Sequence, residues 1–292
     1  MAVNLKKFDY KKMTKRRVLI TKAGGDQELF DPGKLIFSLQ RSGAKDKVIN
    51  EVVSAVSREI RSGMPTSEIY KKAFALLRQI EKPAAARYSL KRAVLELGPS
   101  GFPSENFIGE IFKSKGFTVQ TGVMAQGSCV EHEVDLIAYN EHKFIIGEAK
   151  FHNDLGIKSD LKVALYVESR LQDLQKYRAE RGERKIDECW LITNTKFTKS
   201  AVSYANCKGL KVVSWTYPRY GNLQDLIEEA KVHPLTCLTS LSRQEKIMLM
   251  EKGVVLCKSI EENKKTLSEA GIVGSKLERV LEEGRNLCQS NF

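Results

Sequence analysis

Two apolar runs in the middle of the chain carry charges where a core strand would not be expected to hold them. The first is Glu133-Val134-Asp135-Leu136-Ile137-Ala138, and the second is Phe144-Ile145-Ile146-Gly147-Glu148-Ala149-Lys150. Side chains alternate between faces along a strand, so Glu148 and Lys150 point to one side together with Ile146, one step nearer the core. If the two strands are hairpin neighbours, Asp135 comes beside Glu148. Two carboxylates and an ammonium then gather at one edge of an otherwise apolar sheet. A Glu-x-Lys pair on an exposed strand is an ordinary cross-strand salt bridge. Charges set inside core strands are costly unless a site requires them, and the apolar flanks here point to a site.

Phosphodiester hydrolysis uses such a set. Carboxylates are hard oxygen ligands for Mg²⁺, which keeps several waters and binds a scissile phosphate. Asp135 and Glu148 are the candidate metal ligands, and the metal would act as Lewis acid and lower the pKa of bound water. Lys150 would orient or help deprotonate the attacking water and offset charge building on phosphorus. Glu110, on the helix expected before the first strand, would reach the same pocket as a supporting or additional ligand. His132 and His152 flank the pair, as phosphate or metal contacts or as packing histidines.

Around this centre the chain reads as three blocks. A short strand at 17–21, a turn at Ala23-Gly24-Gly25-Asp26 and a second strand at 28–30 form a hairpin. Asp31-Pro32 starts a helix, a second helix follows over 46–61, Thr66 caps a third, and a fourth runs from Pro83 to Leu97. Gly98-Pro99-Ser100-Gly101-Phe102-Pro103 is the clearest boundary. The second block predicts a helix over 104–115, strands over 117–124, 134–139 and 143–150, and a long helix over 161–181. Two more strands (188–193 and 211–216) and a helix over 222–231 complete an α/β domain. From Leu235 the chain is helical, with one design used twice: Lys246–Val255 around Gly253, and Leu267–Leu281 around Gly271 and Gly274.

Charge is uneven. Residues 1–100 carry 21 Lys+Arg against 10 Asp+Glu, a net +11 of the total +12, and residues 101–292 carry 27 against 26. An excess of this kind suits phosphate-bearing partners, nucleotide or nucleic acid, or else a solvated surface. No apolar run approaches the ~20 residues needed to span a bilayer, so no membrane partner is expected. The amino-terminal segment is too charged for a signal core, and the six cysteines include no CxxC pair, so a cytoplasmic protein with reduced thiols is the expectation.

Residues 104–217 resemble the Mrr-type restriction endonuclease branch of the PD-(D/E)xK superfamily. The helix through Glu110 to Gly116-Phe117, then His132-Glu133-Val134-Asp135, then Gly147-Glu148-Ala149-Lys150-Phe151-His152 carry the likeness. The resemblance implies metal binding at Asp135 and Glu148, catalysis at Lys150 and a supporting place for Glu110. Residues 17–97 resemble the ATP-cone of ribonucleotide reductases and related regulators, through Val18, Lys22, Gly25, Glu28, Phe30-Asp31 and Lys34-Leu35, then Thr66-Ser67-Glu68-Ile69 and Ala86 to Arg92. That resemblance implies ATP or dATP as an allosteric ligand, with Lys22, Lys34 and Lys91 on the triphosphate and Val18 and Ile20 on the base. It also implies a homo-oligomer formed through the cone. No GxxxxGK[ST] segment is present, so hydrolysis of the nucleotide is not indicated.

The expected fold class is thus α/β: a basic arm (1–16), a small cone of one β-hairpin and four helices (17–99), a PD-(D/E)xK nuclease sandwich (104–234) and a short helical segment (235–292). In that last segment Leu267 to Leu277 resembles a helix-hairpin-helix, whose turn either approaches a phosphate through Gly274 and Ser275 or serves packing. Lys158 and Lys162 near the long helix are read as backbone contacts for DNA or as a solvated face, and Glu168 and Gln172 share that region. Thr193-Asn194-Thr195-Lys196 is read as a site-lining loop or a polar turn. The functional expectation is a Mg²⁺-dependent DNA endonuclease controlled by ATP. The alternative is an ATP-responsive nucleic-acid-binding regulator whose nuclease fold is silent.

Overall fold

The structure is a computed structural model. It describes residues 18–98 and 102–289, so the basic arm expected at 1–16 lies outside the described residues. The chain is an α/β protein, and no described helix is long and apolar enough to cross a membrane.

Strands β1 (Leu19–Thr21) and β2 (Gln27–Leu29) form the expected hairpin, pairing Leu19 with Leu29. Its turn is closed by Gly25, whose φ of 86° is open to glycine at no steric cost. Helix α1 (Pro32–Arg41) starts as the residues dictate, with Pro32 in its first turn and the Asp31 carboxylate accepting from Gly33 N at 2.8 Å. Helix α2 (Asp46–Glu59) follows, then β3 (Met64–Pro65), which lies parallel to β1 and was not expected. Two residues, one of them proline, carry no period to detect. Helix α3 (Thr66–Ile80) begins at Thr66, but Pro65 holds the cap position and no side chain caps it. The single helix expected from Pro83 to Leu97 is two: α4 (Lys82–Tyr88) and α5 (Leu90–Leu95). They part at Ser89, whose hydroxyl donates to Ala86 O at 2.7 Å and so competes with the backbone ladder.

The second block opens with α6 (Phe102–Ser114) and continues through β4 (Thr118–Gln126), β5 (Glu131–Tyr139), β6 (Phe144–Ala149) and β7 (Lys158–Ser159). Then come α7 (Leu161–Glu180), β8 (Glu188–Ile192), β9 (Lys196–Phe197), α8 (Lys199–Cys207), β10 (Lys211–Val213) and α9 (Leu223–Ala230). Helix α8 was not expected; Thr198 caps it, accepting from Ala201 N at 3.3 Å. The main sheet has the order β10-β8-β6-β5-β4. The β4–β5 and β5–β6 pairs are antiparallel, and the β6–β8 and β8–β10 pairs are parallel. Helices α7 and α8 cover one face, where Ile146 packs among Val163, Val167 and Leu174. Helix α6 covers the other, with Phe107, Ile111 and Phe112 against Leu136, Ala138 and Ile145.

The third block packs onto that second face. Helix α10 (Arg243–Glu251) leads through a 3-10 turn at Cys257–Ser259 to α11 (Lys264–Glu269), which a short turn joins to α12 (Gly274–Gln289). The repeated design is real: α10 and α11 end in one closure. Val254 N donates to Leu249 O at 2.9 Å and Ile272 N to Leu267 O at 3.0 Å, after Gly253 and Gly271 at φ of 83° and 79°. Each closure drops an apolar residue, Val254 or Ile272, into the core.

The boundary at residue 98 is a break in composition but not in packing. Ile20, Leu39, Ile49, Val52 and Leu77 form a core of their own in the first block. Leu90, Val94 and Leu97 instead join the core built by α6 and the carboxyl-terminal helices. Two polar links tie the blocks further. Arg41 reaches Asp225 at 2.8 Å and Glu228 at 3.0 Å, and the Thr236 hydroxyl donates to Ala93 O at 2.6 Å.

Candidate active site

Strand β6 is the central strand of the sheet and carries the charges at its carboxyl end. The β5–β6 ladder pairs Tyr139 with Phe144 through to Leu136 with Gly147 and goes no further. Where Asp135 stands beside Glu148 the two backbones part. The Asp135 carboxylate takes the place of a backbone acceptor, with Oδ2 receiving Ala149 N at 2.8 Å. On the other side β6 stays paired with β8, and Lys150 N donates to Ile192 O at 2.7 Å. Asp135 also faces Gly122 of β4, between the pairs Thr121–Leu136 and Val123–Val134. Gly122 has a φ of 59°, and a Cβ there would lie 3.4 Å from a Glu105 carboxylate oxygen. Glycine here permits the positive φ, and the Glu105 carboxylate lies at van der Waals distance from where a side chain would start.

Glu148 is buried, with 8 % of its surface exposed. Both of its oxygens are held from α7: Tyr166 donates to Oε1, and Arg170 reaches Oε2 at 2.5 Å. Burial, and then the hydrogen bond to Glu148, push the Tyr166 phenol well above its ordinary range. Asp135 lacks such a counter-charge of its own. Burial, then the negative charges of Glu148 and Glu105, push its carboxyl up to about 7, against the opposing pull of the Ala149 N–H. A carboxyl so placed is short of positive charge. Its Oδ1 receives no hydrogen bond from the described residues.

Among the described residues no group of three or more His, Cys, Asp or Glu side chains is placed to hold a metal ion. Two carboxylates suffice for an ion that retains most of its waters, as Mg²⁺ does. The open Asp135 oxygen and its raised pKa fit such a cation.

The other expected residues divide. Glu110 does not reach this pocket: its carboxylate bonds Lys113 at 2.8 Å and Lys258 at 2.9 Å, on the side of α6 facing the carboxyl-terminal helices. Glu105, one and a half turns earlier on that helix, is the carboxylate that Asp135 feels. His132 is bound to Asp173 at 2.8 Å, and Asp173 also accepts from Cys129 N and Val130 N, so this histidine secures the β4–β5 turn. His152 lies beside the site. Its Nε2 is 2.9 Å from Ser159 Oγ, and burial, then the Lys150 charge, lower its pKa. Asn194 clamps its backbone, accepting from His152 N at 2.8 Å and donating to His152 O at 2.7 Å. That assigns Asn194, fully buried, to positioning the segment after Lys150. Lys158 and Lys162 are exposed, while Glu168 pairs with Lys208 at 3.6 Å and with Gln172.

Glu105, Tyr166 and Arg170 were missed in the sequence, whereas Asn194 belongs to the segment 193–196 read there as a site-lining loop or a polar turn. Arg170 left a trace: it occupies the stripe Val163, Val167, Arg170, Leu174, where a cation inside the buried face of a helix needs a partner on the sheet.

In the first block, Lys22 and Lys34 converge on Glu28, each 2.8 Å from Oε2, and hold that carboxyl below its ordinary range. Ile20 is buried in the core and Val18 packs against it. Ile20 and Lys34 line a small cavity of 170 Å³. Lys91 stands on α5, its ammonium 5.9 Å from the Trp215 ring centroid.

A family model described as AF1548-like, C-terminal, matches residues 233–288. An uncharacterized protein of Archaeoglobus fulgidus is 30% identical over 181 residues, which are 62% of this chain and 99% of that protein. The chain belongs to the AF1548-like family. A solved structure described as that of the protein of unknown function AF1548 aligns with this AF1548-like chain at 30% identity and a TM-score of 0.51, over 63% of this chain and 98% of that one. The MspJI restriction endonuclease in complex with a 27-mer oligonucleotide aligns at 15% identity over 69% of this chain and 47% of that one, with a TM-score of 0.24. A likeness at that level says nothing about activity.

Proposed function

We propose that this protein is a Mg²⁺-dependent endonuclease that hydrolyses phosphodiester bonds in DNA and is controlled by ATP or dATP bound, without hydrolysis, to its amino-terminal block. The observation that carries the reading is the acidic pair at the end of β6. Asp135 faces the buried Glu148 where the strands part, and its carboxyl is pushed up to about 7 by burial and by the negative charges of Glu148 and Glu105. Asp135 and Glu148 would hold the cation, which when bound polarises the scissile phosphate and its own water. Lys150 would place the attacking water and offset charge growing on phosphorus. Water adds to phosphorus, one P–O bond breaks, and the departing oxygen leaves protonated. Arg170 and Tyr166 fix the rotamer of Glu148, and Asn194 fixes the backbone that follows Lys150. The +11 charge of residues 1–100 supports capture of the DNA backbone by the first third of the chain.

One observation favours a second reading. Both Glu148 oxygens are already engaged by protein donors, as they would be in an ATP-responsive nucleic-acid-binding regulator with a silent nuclease fold. Supercoiled plasmid incubated with Mg²⁺, with and without ATP, separates the two. The enzyme reading expects nicking by the wild type and a loss of roughly 100-fold or more in Lys150→Ala. Equal behaviour of the two proteins would sink it.

A further inference from the structure

A cavity walled by Tyr70, Tyr88 and Trp215 lies between the first block and the second, and its chemistry matches one class of ligand. It has a volume of 490 Å³, within the ordinary range for small-molecule sites. Lys34, Arg41, Arg87, Lys91 and Arg92 line it, and among the described residues no acidic side chain does. Three of these cations are already engaged: Lys34 by Glu28, Arg41 by Asp225 and Glu228, and Arg87 by Ser42 O at 2.7 Å. Lys91 and Arg92 have no carboxylate partner among the described residues. Each lies over an aromatic ring instead, Lys91 over Trp215 at 5.9 Å and Arg92 over Tyr70 at 4.0 Å. Burial, and then the neighbouring Lys196, pull the Lys91 ammonium down to about 8, as expected of a cation lacking an anion.

The walls come from both blocks. Tyr70 and Lys91 belong to the first, whereas Leu155 and Trp215 belong to the nuclease block. Leu155 lies in the segment that leads from Lys150 to α7, the helix that holds Glu148. The same segment meets the β1–β2 turn: a Cβ on Gly156 would sit 3.0 Å from Ala23 O.

We propose that this cavity is a composite site for a nucleoside triphosphate, gripped by the first block and by Leu155 and Trp215 together, so that its occupant sets the segment joining Lys150 to α7. Phosphates would pair with Lys91 and Arg92, and the base would stack on the aromatic walls. The inference rests on the nucleotide reading given above and adds to it the second wall and the route to the site. A ligand held between two blocks shifts their equilibrium only through contacts it makes with both.

Amide hydrogen exchange of the full chain, with and without ATP, alongside calorimetry with ATP, tests it. The expected result is protection in peptides covering 151–157 and 211–217 as well as in the first block. Lys91→Ala should weaken ATP binding about 10-fold or more, and Trp215→Ala should abolish protection of 151–157. Protection confined to the first block, with affinity unchanged in Trp215→Ala, overturns the composite site and leaves the nucleotide reading standing. Absence of both heat and protection in the wild type overturns both.

Discussion

Replacing Asp135 with Asn should stabilise the metal-free protein above neutral pH and leave its stability unchanged in acid. The Asp135 carboxyl titrates near about 7 in the fold against 3.8 ordinarily, because burial strips its water and Glu148 and Glu105 add negative potential. Between those two values the folded chain keeps a proton that the unfolded chain has lost. Stability therefore falls as pH rises through that window and stays low above it. Each pH unit across the window corresponds to ~1.4 kcal/mol, so the ceiling is ~4 kcal/mol. The side chain is not fully withdrawn from solvent, and screening brings the expected gain to about 1–3 kcal/mol. Asparagine retains an oxygen for Ala149 N–H, so the backbone of β6 keeps its partner. Urea unfolding with a chelator present, at about pH 4 and about pH 8, measures the difference. A variant no more stable than the wild type at the higher pH, or a gap independent of pH, would refute the account of the acidic pair. Adding Mg²⁺ at the higher pH should raise the midpoint of the wild type and leave the variant unmoved.

Glu105→Gln should slow plasmid nicking about 10-fold through its charge beside Asp135, whereas Glu110→Gln should leave nicking intact and cost under about 1 kcal/mol, since its partners are half-exposed lysines. Arg41→Ala should lower stability by about 1–2 kcal/mol in denaturant unfolding, because it leaves Asp225 and Glu228 without their part-buried guanidinium. Asp173→Ala should speed amide exchange at Cys129 and Val130, whose N–H groups lose their acceptor. In the wild type the Asp173 carboxyl is held down to about 2, first by His132, so its support is present above the ordinary carboxylate range and is lost as pH falls towards that value.

What the sequence made legible was anomaly. Asp135 and Glu148 stood out because a charge inside an apolar strand violates the pattern around it, and the structure sets them side by side. The end of a helix could be read the same way: Gly253 and Gly271 announce closures that the backbone bonds confirm. Where the pattern was ordinary, it misled. Glu105 and Glu110 look alike on an amphipathic helix, yet five residues turn a helix by roughly 500°, which leaves the two about 140° apart, so one faces the sheet edge and the other the carboxyl-terminal helices. Nothing local could phase that helix against Gly122, since the contact joins residues distant in sequence. The packing across residue 98 was hidden for the same reason, because Leu90, Val94 and Leu97 bury themselves in a core most of whose members lie beyond it. That shared core has a mechanical consequence. Helix α5 carries Lys91 on the cavity between the blocks while its apolar face is set in the core shared by α6 and the carboxyl-terminal helices. A ligand drawn to Lys91 therefore pulls on a helix of the first block whose other face is anchored in the same core as α6, the helix that brings Glu105 to Asp135.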